Sequence, residues 1–199
     1  YIIKKKYIYI DFSVNAYTIF YSYCKRVSMD RLLCKKHKTN RDYEFICQVL
    51  TRLPREEVCL PFKTKLAYVN WGDQYSLPFT VRDKKHGGIT HIYKRAGLYT
   101  IHVTGSINEF TFNQVDQRYA KYMYKIISWG KFSFCEQGGN FKWCINLTQV
   151  PYDPPPITNM KEMFMGAIVF DSDLSGWCVS HVENMSRTFM YCYAFNGDL

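Results

Sequence analysis

Two stretches of the chain are nearly the same: TNMKEMFMGAIVFDSDL at 158–174 and ENMSRTFMYCYAFNGDL at 183–199, 25 residues apart. Aligned, they pair Asn159 with Asn184, Met160 with Met185, Phe164 with Phe189, Phe170 with Phe195, Asp173 with Asp198 and Leu174 with Leu199. A weaker copy, FKWCINL, stands at 141–147. All three share an aromatic, then a small residue, then an apolar residue at intervals of three: Phe141/Cys144/Leu147, Phe164/Ala167/Phe170 and Phe189/Cys192/Phe195. Spacings of 23 and 25 residues indicate a solenoid, because so short a unit cannot bury its own apolar face and must stack on a neighbour. The pattern predicts a strand over GWCVSHV (176–182) and a helical or 3₁₀ turn over MKEMFMGA and MSRTFMYC, with Asn159 and Asn184 bonding the bends. The small residues at 144, 167 and 192 would allow close approach of successive coils.

The segment 59–112 has a different texture. LAYVNWGD places Ala67, Val69 and Trp71 on one strand face, and Gly72-Asp73 supplies turn chemistry. FTV, ITHIYK and GLYTIHVTG read as further strands, separated by KKHGG and Arg95-Ala96-Gly97; Tyr99, Ile101 and Val103 share a face. Short strands so closely spaced predict a small antiparallel sandwich.

Residues 1–58 hold twelve Lys/Arg against six Asp/Glu, so most of the net charge of +9 belongs to this quarter. YIIKKKYIYIDF predicts a strand; SMDRLLCKK and DYEFICQVLTRL predict short amphipathic helices, the second capped by Asp42, stopped by Pro54 and carrying Phe45, Ile46, Val49 and Leu50 near one face. Cys24, Cys34, His37 and Cys47 form a weak zinc set of unfamiliar spacing, and free, mostly buried thiols are the stronger reading of the eight cysteines. Lys25, Arg26, Arg31, Lys35, Lys36, Lys38 and Arg41 could meet phosphates. No nucleic-acid-binding signature accompanies them, so this stays an alternative in which the protein is a nucleic-acid-associated or assembly protein. Hydrophobic residues are 47% and charged residues 22% of the chain, enough to build a core. No apolar run reaches the ~20 residues of a membrane-spanning helix. KKKYIYIDFSVNAYTIFYSYC has the layout of a lipoprotein signal, but Asp11 and Asn15 interrupt its apolar part and Tyr23 occupies the small-residue position before Cys24.

Two family resemblances follow from these motifs. VNWGD with ITHIYKRAGLYTIHVTG resembles the polycystic-kidney-disease (PKD)-like β-sandwich domain, through Trp71, Gly72, Asp73, His91, Tyr93, Gly97, Tyr99, Ile101 and Val103; Gln74 departs from the glycine usual there. In such domains these residues are structural. Residues 157–199, through Thr158, Asn159, Met160, Met163, Phe164, Gly166, Ala167, Phe170, Asp173, Leu174, Trp177, Val179, Ser180 and Val182, resemble the BspA-like leucine-rich-repeat surface proteins. Cys178, His181 and Glu183 in the strand, and Thr188 and Cys192 in the last copy, depart from that pattern.

The expectation is therefore a mainly β chain in three parts: a basic segment of uncertain fold at 1–58, a PKD-like sandwich at 59–112, and a leucine-rich-repeat-like solenoid at 113–199. The resemblance implies a non-enzymatic surface or adhesion protein. Its protein partners would meet the solenoid face or its uncapped end, with no cofactor, and the chain would belong to a larger assembly or a longer protein. No nucleophile elbow or metal triad is recognisable. The repeat register carries a test. Cys144 and Cys192 are equivalent positions two coils apart, roughly 10 Å at the ~4.8 Å spacing of neighbouring chains, beyond the ~7 Å reach of a disulfide. Non-reducing mass spectrometry is expected to show no Cys144–Cys192 bridge, and finding one rejects the register.

Overall fold

The computed structural model describes residues 44–197, apart from 65, 75–78, 82–87 and 155. The strand and first helix expected near the N-terminus lie outside the described residues. Among those described, the chain is mainly β: β1 (Glu44–Thr51), β2 (Glu56–Leu60), β3 (Ala67–Asn70), β4 (Phe79–Val81), β5 (Ile89–Tyr93), β6 (Gly97–Phe110), β7 (Met123–Ser128) and β8 (Lys131–Phe134), with two 3₁₀ turns at Phe112–Gln114 and Gln117–Tyr122. The larger sheet runs β4-β3-β6-β1-β7, all antiparallel, and β8 joins β6 in parallel. β2 and β5 pair separately. Val58, Leu60 and Tyr93 of that pair share one buried core with Val69, Trp71, Ile101 and Val103 of the larger sheet.

β1 corrects the helix expected over DYEFICQVLTRL. Phe45, Ile46, Val49 and Leu50 fit a helical face, but the burial alternates with period two: Phe45, Cys47, Val49 and Thr51 are buried, and the residues between them are half exposed. Tertiary pairing decides the matter. β1 bonds to β6 along one edge, from Glu44 opposite Thr104 to Thr51 opposite Gly97, and to β7 along the other. It is thus a central strand. The sheet consequently runs across the boundaries expected after residues 58 and 112, taking β1 from before the first and β7 and β8 from beyond the second.

The three sequence copies form successive coils, at 139–147, 160–170 and 185–195. Their local structure corrects the helical expectation. Met160–Met163, Glu162–Met165, Phe164–Ala167 and Ala167–Phe170 are each closed by an i+3 N–H to i C=O bond, so the coil is a chain of overlapping β-turns. Left-handed residues recur at matching positions: Gly139 and Trp143, Glu162 and Gly166, Arg187 and Tyr191. The N–H groups that a helix would use internally go instead to the next coil. Phe141 donates to the Met163 carbonyl (2.8 Å), Phe164 to Thr188 (3.0 Å) and Gly166 to Met190 (2.8 Å).

Nor is GWCVSHV a strand. Trp177, Val179 and Val182 face the core, but Trp177 and Val182 close turns back to Leu174 and Val179. The corresponding stretch one coil earlier is PYDPPPI, whose four prolines offer no N–H. That stretch offers a ladder few donors.

Rings pack along the stack. Phe141 lies 5.7 Å from Phe164 and Phe164 lies 5.8 Å from Phe189, nearly parallel; Phe170 lies 5.8 Å from Phe195. Phe110 of β6 continues the column, 5.4 Å from Phe141, and reaches Phe45 of β1 at 5.8 Å. Phe164 is fully buried, with ring neighbours on both sides, whereas Phe189 is half-buried with one coil beneath it. Phe164→Ala is expected to cost about 3–5 kcal/mol, clearly more than Phe189→Ala. Urea unfolding of the two variants measures the difference, and equal costs would mean that the last coil is already covered.

Candidate interaction surface

The chemistry-bearing residues singled out in the sequence fall in three places. Cys24, Cys34 and His37, and all of Lys25, Arg26, Arg31, Lys35, Lys36, Lys38 and Arg41, lie outside the described residues. Cys47 is on the buried face of β1, where desolvation pushes its thiol far above the usual range. Among the described residues no three His, Cys, Asp or Glu side chains come together as a metal site requires.

The Trp71–Gly72–Asp73 turn and the His91–Tyr93 pair meet across the core. Gly72 has φ +74°, and a Cβ there would come within 2.1 Å of the Thr100 carbonyl oxygen, so the turn needs glycine. Asp73 Oδ2 lies 3.0 Å from His91 Nε2, while the imidazole stacks on Trp71 at 4.9 Å and meets Tyr93 edge-on. Tyr93 donates its hydroxyl to the Trp71 carbonyl (2.8 Å) and stacks on Tyr99 at 3.9 Å. Aspartate and histidine here pin a turn to a strand, and the histidine ring is packed between aromatics.

The repeats present a different surface. Phe141, Cys144, Leu147, Phe164, Ala167 and Phe170 are fully buried; Phe189, Cys192 and Phe195, on the last coil, are partly buried against them. The Cys192 thiol meets the Phe164 carbonyl at 2.9 Å, and burial pushes it up to about 12, so it stays protonated at neutral pH. Asn159 and Asn184 each accept, through Oδ1, the N–H two residues on, at 2.8 and 2.9 Å. These side-chain turns set the entry to coils two and three.

Outside the core the copies carry a second column that sequence reasoning missed: Trp143, Gly166 and Tyr191, one per coil, all left-handed. The Trp143 ring lies over Gly166, where an added Cβ would come within 2.2 Å of it. Tyr191 stacks 6.1 Å from Trp143, and Tyr193 lies 6.4 Å beyond. Tyr193 is 75% exposed; Tyr191, Ile168 and Val169 are exposed too. The missed signal was the bulky Trp/Tyr pair flanking a Gly at one repeat position. The coils also carry a charged ladder. Glu162 of the second coil binds Lys142 Nζ of the first (2.6 Å) and Arg187 of the third (3.4 Å).

With the geometry in place, residues 132–199, about a third of the chain from β8 through the last coil, match the family model described as "Mycoplasma protein of unknown function, DUF285". That family is related to the BspA-like repeat proteins. No curated protein and no solved structure matches the chain.

The Lys142 hydrogen bond, foremost, holds the Glu162 carboxyl below its ordinary range, with Arg187 assisting. A depressed folded pKa contributes stability that is present above the unfolded value, ~4.3, and is lost as pH falls through the folded one. Glu162→Gln is expected to destabilise by about 1 kcal/mol or less at pH 7, with the gap to the wild type closing below about pH 4. Thermal unfolding of both proteins between pH 3 and 7 checks the sign, and a gap that widens in acid contradicts the ladder.

Proposed function

We propose that this chain is a non-enzymatic attachment protein of a cell surface, in which a PKD-like β-sandwich carries a leucine-rich-repeat-like solenoid that contacts other proteins. The observation that carries the reading is the exposed pair Tyr191 and Tyr193, in ring contact with each other and with Trp143, while Ile168 and Val169 are exposed on the preceding coil. Aromatic residues with large, rigid contact area are the residues that anchor protein–protein contacts. The family match over 132–199 supports a surface-associated repeat protein. The stack gives such a pair a rigid backing, because its side chains stand on backbone bonded from coil to coil. Among the described residues no helix is long and apolar enough to cross a membrane, so attachment of this part to a surface would not be through such a helix.

The test is saturable binding of the purified chain to a panel of extracellular-matrix and cell-surface proteins. A Tyr191→Ser/Tyr193→Ser double variant is expected to lose at least tenfold in affinity while keeping its unfolding midpoint, since both rings are exposed. Absence of saturable binding across the panel, or equal binding by the variant, defeats the proposal.

A further inference from the structure

Two positions of the repeat lie outside its core on every coil. The first holds Trp143, Gly166 and Tyr191; the second, two residues on, holds Ile145, Ile168 and Tyr193. The Ala194 N–H, next to Tyr193, reaches the Ile168 carbonyl of the coil before it at 3.1 Å. The Tyr191 ring meets Trp143 on one side and Tyr193 on the other, and so joins the two columns. Apart from Gly166, which lies under the Trp143 ring, these residues are half-buried or exposed, and none carries a charge. They form a side of the stack shared by all three coils. Hydrogen-bond donors come with them: among the described residues, the Trp143 indole N–H and the Tyr191 and Tyr193 hydroxyls have no partner. The main chain beneath is already bonded. The N–H groups of Trp143, Ile145 and Gly166 donate to the carbonyls of Met165, Trp143 and Met190.

We infer that this side of the stack binds a proline-rich segment in the polyproline II conformation. The inference rests on reading the repeats as an attachment surface and names the chemistry of the partner. Hydrogen bonding makes the choice, because the surface offers donors on apolar rings and no open main-chain ladder. A strand brings N–H groups as well as carbonyls, and an indole N–H accepts nothing. A helix spends its carbonyls internally and would leave the donors unanswered. A proline segment has no N–H to satisfy, keeps its carbonyls unbonded and is apolar on every side. Its conformation is preformed, so little is lost in ordering it on an aromatic surface. The absence of charge on these columns matches a segment that has none. Ring-to-ring distances of 6.1 and 6.4 Å, set against a polyproline II rise of ~3.1 Å per residue, let about five residues reach from Trp143 to Tyr193. The same pairing occurs inside the chain, where the Trp177 indole N–H donates to the Pro151 carbonyl at 3.2 Å.

The experiment is titration of the 199-residue chain with end-capped decaproline, followed by fluorescence anisotropy and by the NMR resonance of the Trp143 indole N–H. A Gly–Ser peptide of equal length and a soluble oligosaccharide serve as controls. Decaproline is expected to bind with a dissociation constant at or below about 1 mM and to shift the Trp143 resonance, while the Gly–Ser peptide does not saturate. A Tyr191→Phe/Tyr193→Phe double variant keeps both rings and loses both hydroxyls. It is expected to bind decaproline at least threefold more weakly at an unchanged unfolding midpoint. No saturable binding, equal binding of the Gly–Ser peptide, an unmoved Trp143 resonance or unchanged affinity in the Phe variant overturns the inference. So does binding of the oligosaccharide at these rings in place of decaproline. Failure here with panel binding intact removes this inference and leaves the attachment reading. Decaproline binding without panel binding does the reverse.

Discussion

A ladder of hydrogen bonds joins the sheet to the repeats, and the position of every coil follows from it. The Thr148 N–H donates to the Tyr124 carbonyl of β7 and the Ile126 N–H to the Gln149 carbonyl, so the end of the first coil lies along the outer edge of the sheet. Asp171 of the second coil then donates to the Thr148 carbonyl, and Asn196 of the third to the Asp171 carboxylate. That edge adds to the Thr111 hydrogen bond and the Phe110 ring contact that also hold the first coil. β7 is also relieved of the bare edge that makes an outer strand prone to pair with other chains.

Aromatic packing follows the same path and explains why the two parts share a core. Phe45, Phe110, Phe141, Phe164 and Phe189 are in contact in that order, from a central strand to the last coil, and Trp129 and Trp177 fill the space alongside. The first two contacts are tilted and the last two nearly parallel, and aromatic pairs of either kind gain beyond their buried area. Each ring also fixes the height of its coil, so a change at one layer is felt at the layers that touch it. Sheet and repeats are accordingly a poor place to divide the molecule, even though their sequences look unrelated.

The ring columns and the Trp71–His91–Tyr93 cluster could be read from the sequence because identical letters at a fixed period, or a short motif, marked them. β1 could not, because Phe45, Ile46, Val49 and Leu50 satisfy a helical face and the alternation that wins depends on β6, some fifty residues away. The repeat conformation was also hidden. A helix-like pattern of apolar residues at three-residue intervals is equally what overlapping turns require when their free N–H groups have a neighbouring coil to reach. The Trp143–Gly166–Tyr191 column escaped because its members differ in type and only the backbone angle is common to them.

The place of β1 has a consequence for the order in which the protein is made. The strand is synthesised first of those described, yet both of its partners come later: β6 starts at Gly97 and β7 ends at Ser128. At ~5–20 residues per second, roughly 4–15 s pass between the synthesis of β1 and that of β7. Through that interval an alternating Phe45–Cys47–Val49 strand has two open edges and no core to face. Closure of the sheet around β1 is therefore a late event in synthesis, waiting on residues as far along as Ser128.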